Sequence, residues 1–280
     1  MPAMVSDAPG VRATGAFHPV RLTPLHHVHQ RLSAKMVERE GWWVPDRYGD
    51  DPLKEVDAAE SSVGVSDISA LAKIEIKGEG TSASLTSLLS RPSSVPPMPG
   101  QVVYRPELAD PTLKRTLIPR YVCRLAPDQA LVIARGEVPR GANPMDVATA
   151  AKPVRGAYLT NITSVLAGIS VCGPDSFEVI SRLTEVDVSP ETLRARRCAQ
   201  VGFANVVAIV VRADGSRDGK SVQSYDVFFG RENAEYVWDS IFGAGGAECK
   251  VTPVGLSAYE LIHGGESKTG GSWDAAEGGP

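Results

Sequence analysis

YLTNITSVLAGISVCGPDSFEVISRLT, residues 158–184, reads as a polar lead-in, an alternating strand, a Gly-Pro stop and an amphipathic helix. It has a counterpart 95 residues upstream, where Leu71–Gly78 (LAKIEIKG) precedes a helix over about Thr81–Ser90, just as Leu166–Gly173 (LAGISVCG) precedes one over Asp175–Leu183. In both stretches Ile and Val fill alternate places, so one face packs and the other stays polar, the period of a half-buried strand. The spacing predicts an α+β chain of two related halves, about residues 65–150 and 158–262, with mixed and antiparallel sheets and packed helices.

Composition limits what such halves do. With 280 residues, 42% of them hydrophobic, the chain buries a sizeable core. A net charge of -4 and a pI near 5.8 provide no basic face for a phosphate backbone, which argues against nucleic acid as a partner. No apolar run approaches the length that spans a bilayer, and the N-terminus lacks the regions of a signal peptide, so the expectation is a cytoplasmic protein without a membrane partner. Cys123, Cys172, Cys198 and Cys249 have no paired spacing and lie mostly in apolar segments, which predicts buried free thiols rather than disulfides or a zinc site.

Residues 1–22 are rich in Gly, Pro and Ala without periodicity and are expected to form a flexible arm. Thr23 and Pro24 then suit the cap and first residue of a helix, with Leu25, Val28, Leu32 and Met36 on one stripe. Of His26, His27 and His29, only His26 and His29 share a helical face, and no Cys or carboxylate stands near them in sequence. That argues against a metal and for a solvated face or a His bonded across to another element. AKMVEREGWWVPDRYGD (34–50) is too irregular for a helix or a strand and reads as a loop. Its Trp42, Trp43 and Tyr48 either stack on a flat heterocycle or plug a junction. Tyr121–Leu125 and Ala130–Ala134 form a hairpin across APDQ, Ser189-Pro190-Glu191 starts a short capped helix, and Ala234, Val237, Trp238 and Ile241 make a core stripe. GGESKTGGSWDAAEGGP (264–280) has a linker composition, which sets a core of 23–265 and a flexible tail at 266–280.

Four stretches, with the central repeat, carry a family likeness. They are TPLHHVHQRLSAKMVEREGWWVPDRYGD (23–50), EVDAAESSVGVSDISALAKIEIKG (55–78), PGQVVYR (99–105) and VTPVGLSAYELIHGG (251–265). In order and spacing the chain resembles the aminomethyltransferases, the T-protein of the glycine cleavage system, and the folate-binding domains of sarcosine and dimethylglycine oxidising enzymes. The likeness is strongest to the sarcosine oxidase version over 23–50. It implies α+β domains in a ring around a central folate pocket, where tetrahydrofolate accepts a one-carbon unit from an aminomethyl donor. It also implies a third, barrel-like domain, which this sequence does not reach.

The family's polar residues match poorly. Anchoring ADPTLKRTLIPRYVCRL (109–125) on Arg124 and Leu125 puts the family's paired acids on Ile118 and Pro119, neither of which accepts a proton. The family's pterin-binding acid falls on Asp226 within Ser224-Tyr225-Asp226, one carbon shorter, and the Arg of its last helix falls on His263. The resemblance therefore implies a folate pocket anchored by Asp226 and lined by Trp42 or Trp43, Tyr104 and Tyr225, with His263 beside it, and no standard catalytic acid. Two function classes remain. One is tetrahydrofolate-dependent one-carbon transfer or demethylation from a methylated small-molecule donor, assisted by a partner subunit such as a flavoprotein. The other is a non-catalytic structural or folate-binding subunit of a flavin-dependent amine oxidase complex.

Overall fold

A computed structural model describes residues 21–88, 96–104, 118–135 and 154–263. Residues 1–20 of the expected arm and the expected tail lie outside it. The two stretches of the repeat become β5 (Ala72–Lys77) with α3 (Thr81–Leu88), and β10 (Leu166–Cys172) with α4 (Ser176–Ser181). Their strand-to-helix turns match. Thr81 N donates to Gly78 O at 3.0 Å and Ser176 N to Gly173 O at 3.2 Å. Gly78 and Gly173 take φ of 109° and 116°, values open to glycine alone. A Cβ at Gly78 would run into Gly156 O, and one at Gly173 into Ser62 O.

The likeness extends further upstream than the sequence periodicity does. β4 (Val63–Asp67) precedes β5 and β9 (Tyr158–Asn161) precedes β10, yet each pairs antiparallel with the other copy's strand: β4 with β10, and β9 with β5. Ile68 N donates to Gly168 O and Ile162 N to Lys73 O, both at 2.9 Å. Asp67 Oδ1 accepts from Ser69 N at 2.8 Å and Asn161 Oδ1 from Thr163 N at 3.0 Å, so Asp-Ile-Ser and Asn-Ile-Thr form the same side-chain turn. The hydroxyls of those turns then accept from the opposite copy, Ser69 Oγ from Gly168 N at 3.1 Å and Thr163 Oγ1 from Lys73 N at 3.0 Å.

Around these strands stand β6 (Val102–Tyr104), β7 (Ile118–Ala126) and β8 (Gln129–Arg135), giving a sheet of order β6-β7-β8-β5-β9. β11 (Cys198–Phe203), β12 (Val206–Arg212), β15 (Ser224–Gly230) and β16 (Val251–Pro253) complete the order β11-β12-β15-β10-β4-β16. Between β12 and β15 a small hairpin, β13 (Gly215–Arg217) and β14 (Lys220–Val222), projects. The expected hairpin across APDQ is β7–β8. The stripe Ala234, Val237, Trp238 and Ile241 lies buried on α5 (Ala234–Gly245). All four cysteines are free and buried. No helix of the described residues is long and apolar enough to cross a membrane.

Three local expectations are corrected. The first helix, α1, spans only His26–Arg31; Ser33 at φ 57° ends it, and Met36 falls on a strand. Residues 34–50 are not a loop: β2 (Lys35–Arg39) and β3 (Trp42–Arg47) form a hairpin that also pairs with β1 (Arg21–Leu22). Its turn, Glu40-Gly41, takes φ of 53° and 78°, the doubly left-handed turn that suits the twist of a tight hairpin. At Ser189 the hydroxyl accepts from Thr192 N at 3.3 Å as a cap would, but the chain makes a turn there and no helix.

Candidate functional site

The first and last of the family-like stretches, 23–50 and 251–265, meet through their described residues. α2 (Pro52–Ser61) starts behind Asp51, whose side chain accepts from Leu53 N at 2.9 Å. Its Glu55, 6% exposed, accepts from Tyr48 N at 2.6 Å, Gly49 N at 3.1 Å and Gly255 N at 2.7 Å. That ties the hairpin to the start of α6 (Leu256–His263). Ser257 Oγ adds a bond to Asp46 Oδ1 at 2.6 Å. Between these elements and the β4–β5 turn opens a small cleft of about 50 Å³, lined by apolar Val44, Ile68, Leu71 and Leu256 and by polar Arg39, Arg135, Tyr259 and Glu260.

Tyr259 links the cleft to a buried polar cluster. A bulge in β7, where Pro119 faces Ala134 and Tyr121 faces Ile133, leaves Arg120 as the extra residue. Two consecutive side chains thereby reach one side of the strand. The Arg120 guanidinium donates to the Tyr259 hydroxyl and lies 5.1 Å over its ring. Tyr121 OH donates to Asp226 Oδ2 at 2.7 Å. Pairing across the six-stranded sheet aligns Ser66 with Ser170 and Ser170 with Asp226, a polar row facing α6. From α6, His263 stacks on Tyr259 at 4.3 Å and its Nε2 meets Ser224 Oγ at 3.1 Å. Asp226 Oδ1 and Ser66 Oγ are buried without a hydrogen-bond partner among the described residues.

Burial sets the electrostatics here. It pushes the Asp226 carboxyl upward, against the opposing pull of Arg120, Tyr121 and the Ser170 hydroxyl. The Tyr259 phenol is pushed up to about 12 by burial, and the His263 imidazole is driven down to about 3 by burial and by the Arg120 cation. Elsewhere along the cleft lining, His29 Nε2 meets Asp67 Oδ2 at 2.8 Å, and Tyr48 OH meets His29 Nδ1 at 2.8 Å. His29 is thus the histidine that bonds across to another element. Burial alone would raise the Asp67 carboxyl, but its bonds to His29 and Ser69 outweigh it and hold it below the usual range.

Lys73 departs from the expected polar face of β5. It is completely buried, with Nζ 2.8 Å from Ser69 O, 2.9 Å from Leu71 O and 5.9 Å from the centre of the Phe228 ring. Burial lowers its ammonium to about 7, an effect that Asp67 only partly opposes.

Of the residues singled out from sequence, the structure brings Asp226 and His263 into one cluster and leaves Tyr225 out of it. Successive residues of β15 point to opposite faces, so Tyr225 turns away from Asp226. Its hydroxyl accepts from Arg212 Nη1 at 3.1 Å and donates to Val188 O at 3.3 Å. Trp42 is buried on the hairpin face that also carries Arg39 and Val44, whereas Trp43 faces the other way, 37% exposed. Tyr104 pairs with Tyr121 at the end of β6. The side chains of Tyr104, Ile118 and Pro119 lie outside the described residues. Sequence reading missed Arg120, Tyr121 and Tyr259. Tyr259 was within reach, one helical turn before His263 on the same face, but the bulge that turns Arg120 and Tyr121 to one side leaves no mark in strand alternation.

A family model, the GCVT N-terminal domain, matches residues 25–263. The chain belongs to this family. Within it, the chain is 26% identical over 248 residues to an aminomethyltransferase of Desulforamulus reducens and 28% identical over 251 residues to one of Porphyromonas gingivalis. Each match covers 87% of this chain and 63–64% of the relative's own length. Among solved structures, the aminomethyltransferase of the glycine cleavage system from Bartonella henselae superposes with a TM-score of 0.62 at 17% identity, covering 87% of this chain and 62% of that one. Heterotetrameric sarcosine oxidase from Corynebacterium sp. U-96 gives 0.51 at 15% identity over 79% of this chain and 93% of that chain. These likenesses establish the GCVT-type fold.

Proposed function

We propose that this GCVT-family chain takes part in tetrahydrofolate-dependent one-carbon transfer or demethylation, acting with a partner subunit on a methylated small-molecule donor. The orphaned Asp226 Oδ1 carries the reading. A buried carboxylate oxygen without a donor is costly, and the amino and ring N–H groups of a reduced pterin are donors of the kind it lacks. The chemistry of the residues present suits that group: Asp226, fully buried and set back from the cleft lining, would accept its N–H edge, and Tyr121 holds the carboxylate's other oxygen and so fixes its plane. Tyr259, which lines the cleft, is held in place by stacking on His263 and by the Arg120 guanidinium over its ring. Tetrahydrofolate supplies the nitrogen that accepts the one-carbon unit. The protein's part is to bind and orient, and with Ile118 and Pro119 in the family's acid slot, positioning has to replace proton transfer there.

Isothermal titration of tetrahydrofolate into wild type and Asp226→Asn tests this. The amide turns a donor toward donors, and a buried mispairing of about 1 to 3 kcal/mol weakens binding by about tenfold or more. Absence of binding to wild type, alone and with its native partner, removes the folate reading. A second expected outcome is that the isolated chain does not turn over aminomethyl-lipoyl carrier protein; steady turnover would place a working acid where none is matched. The empty acid slot and the sarcosine oxidase likeness also favour a second reading, a non-catalytic subunit of a flavin-dependent amine oxidase complex. That reading takes over if folate binds but no one-carbon transfer occurs in the reconstituted complex.

A further inference from the structure

At the mouth of the cleft two arginines from different sheets converge on one carboxylate. Arg39 ends β2, Arg135 ends the described part of β8, and Glu260 follows Tyr259 on α6. Arg39 Nη2 stands 3.6 Å from Glu260 Oε2, and Arg135 Nη1 stands 3.6 Å from Glu260 Oε1. At that separation neither contact is a hydrogen bond. The three side chains are 54%, 34% and 35% exposed, so each ion pair is weak and exchangeable. Two guanidiniums with forks of N–H donors thus share one loosely held anion, and the cleft behind them is largely apolar. Two other acids line that cleft: Glu40, at the hairpin turn beside Arg39 and with an interaction of its own, and Asp67, whose side chain has no exposure and is already engaged by His29 and Ser69.

We propose that Arg39 and Arg135 form a recognition site for a ligand carboxylate, and that Glu260 is its resident occupant, displaced when a carboxylate-bearing small molecule enters. A planar guanidinium binds carboxylate through two parallel hydrogen bonds, which Glu260 at its present distance does not make. An incoming carboxylate therefore gains bonds that the internal one lacks. The proposal deepens the folate reading without depending on it, because two ligands of that reaction carry the required group: the glutamyl tail of a folate and the carboxylate of an N-methyl amino acid donor.

The test measures binding to the full chain of 4-aminobenzoyl-glutamate, which has the tail but no pterin, and of N,N-dimethylglycine, which has the donor carboxylate alone. Neutral 4-aminobenzamide is the control. Glu260→Gln removes the competitor and should tighten whichever carboxylate ligand is recognised by about threefold to tenfold, while Arg39→Gln and Arg135→Gln each weaken it by about tenfold. The control should respond to none of them. Opposite signs at neighbouring positions cannot come from a loss of folding, and circular dichroism of each variant confirms it. Whichever of the two ligands shows this pattern identifies the source of the carboxylate. Unchanged affinity in Glu260→Gln, or wild-type affinity in both arginine variants, overturns the proposal even if tetrahydrofolate binds normally. The carboxylate pattern without tetrahydrofolate binding supports the site and removes the folate reading instead.

Discussion

Asp67-Ile68-Ser69 and Asn161-Ile162-Thr163 occupy the same turn in the two copies of the repeat, with the same side-chain bond to the backbone and the same reach across to the partner strand. What differs is charge. Asn161 is exposed and serves the turn alone, whereas the Asp67 side chain is buried against His29. Lys73 stands where the other copy has Gly168, and a Cβ at Gly168 would press on the same Phe228 ring that Lys73 Nζ approaches. The backbone needs an amide oxygen and a hydroxyl. The carboxylate and ammonium are additions confined to the copy beside the cleft. Shared geometry therefore reports folding, and the departures from symmetry report the site.

That division can be broken or sharpened by substitution. Gly78→Ala and Gly173→Ala each place a side chain at left-handed φ against a carbonyl, so each should cost more than about 3 kcal/mol in urea denaturation; tolerance of one but not the other would break the equivalence of the turns. Lys73→Met addresses the asymmetry. Because burial lowers the folded-state pKa to about 7, the unfolded chain binds more protons above that pH, and wild-type stability rises as pH goes from 7 to 9. The slope reaches up to about 1.4 kcal/mol per pH unit, and Lys73→Met should flatten it. Asp67→Asn keeps the turn, as Asn161 does, but weakens the bond to His29, for a loss of about 1 to 2 kcal/mol. The converse Asn161→Asp, on an exposed turn, should change stability by less than about 0.5 kcal/mol. Equal costs at the two positions would mean that the charge at Asp67 has no special role.

Much of this was legible where one residue type has one use. The alternation in LAGISVCG and LAKIEIKG gave both strands and their glycine stops, and the Ala234–Ile241 stripe gave a core helix. The family likeness located Asp226 and His263 in the same cluster. Two kinds of information were missing from a linear pattern. Residues 34–50 look irregular because the hairpin's turn uses Glu40 in place of the usual Asn, and because Pro45 stands inside a strand. The burial of Lys73 and the convergence of Arg120 with Tyr121 depend on what the opposite sheet presents and on one extra residue in β7, neither of which has a period.

The exchange of β4 and β9 between the copies also bears on how the chain reaches its native state. Hydrogen bonds such as Ser69 to Gly168 join residues 99 positions apart, so β5 lacks its β9 neighbour and β4 its β10 neighbour until most of the chain has been synthesised. Contacts of that separation slow folding, and the waiting strands expose unpaired edges open to association with other chains. The first copy made alone should therefore accumulate as an aggregation-prone intermediate, and the rate at which the second copy emerges becomes a determinant of yield.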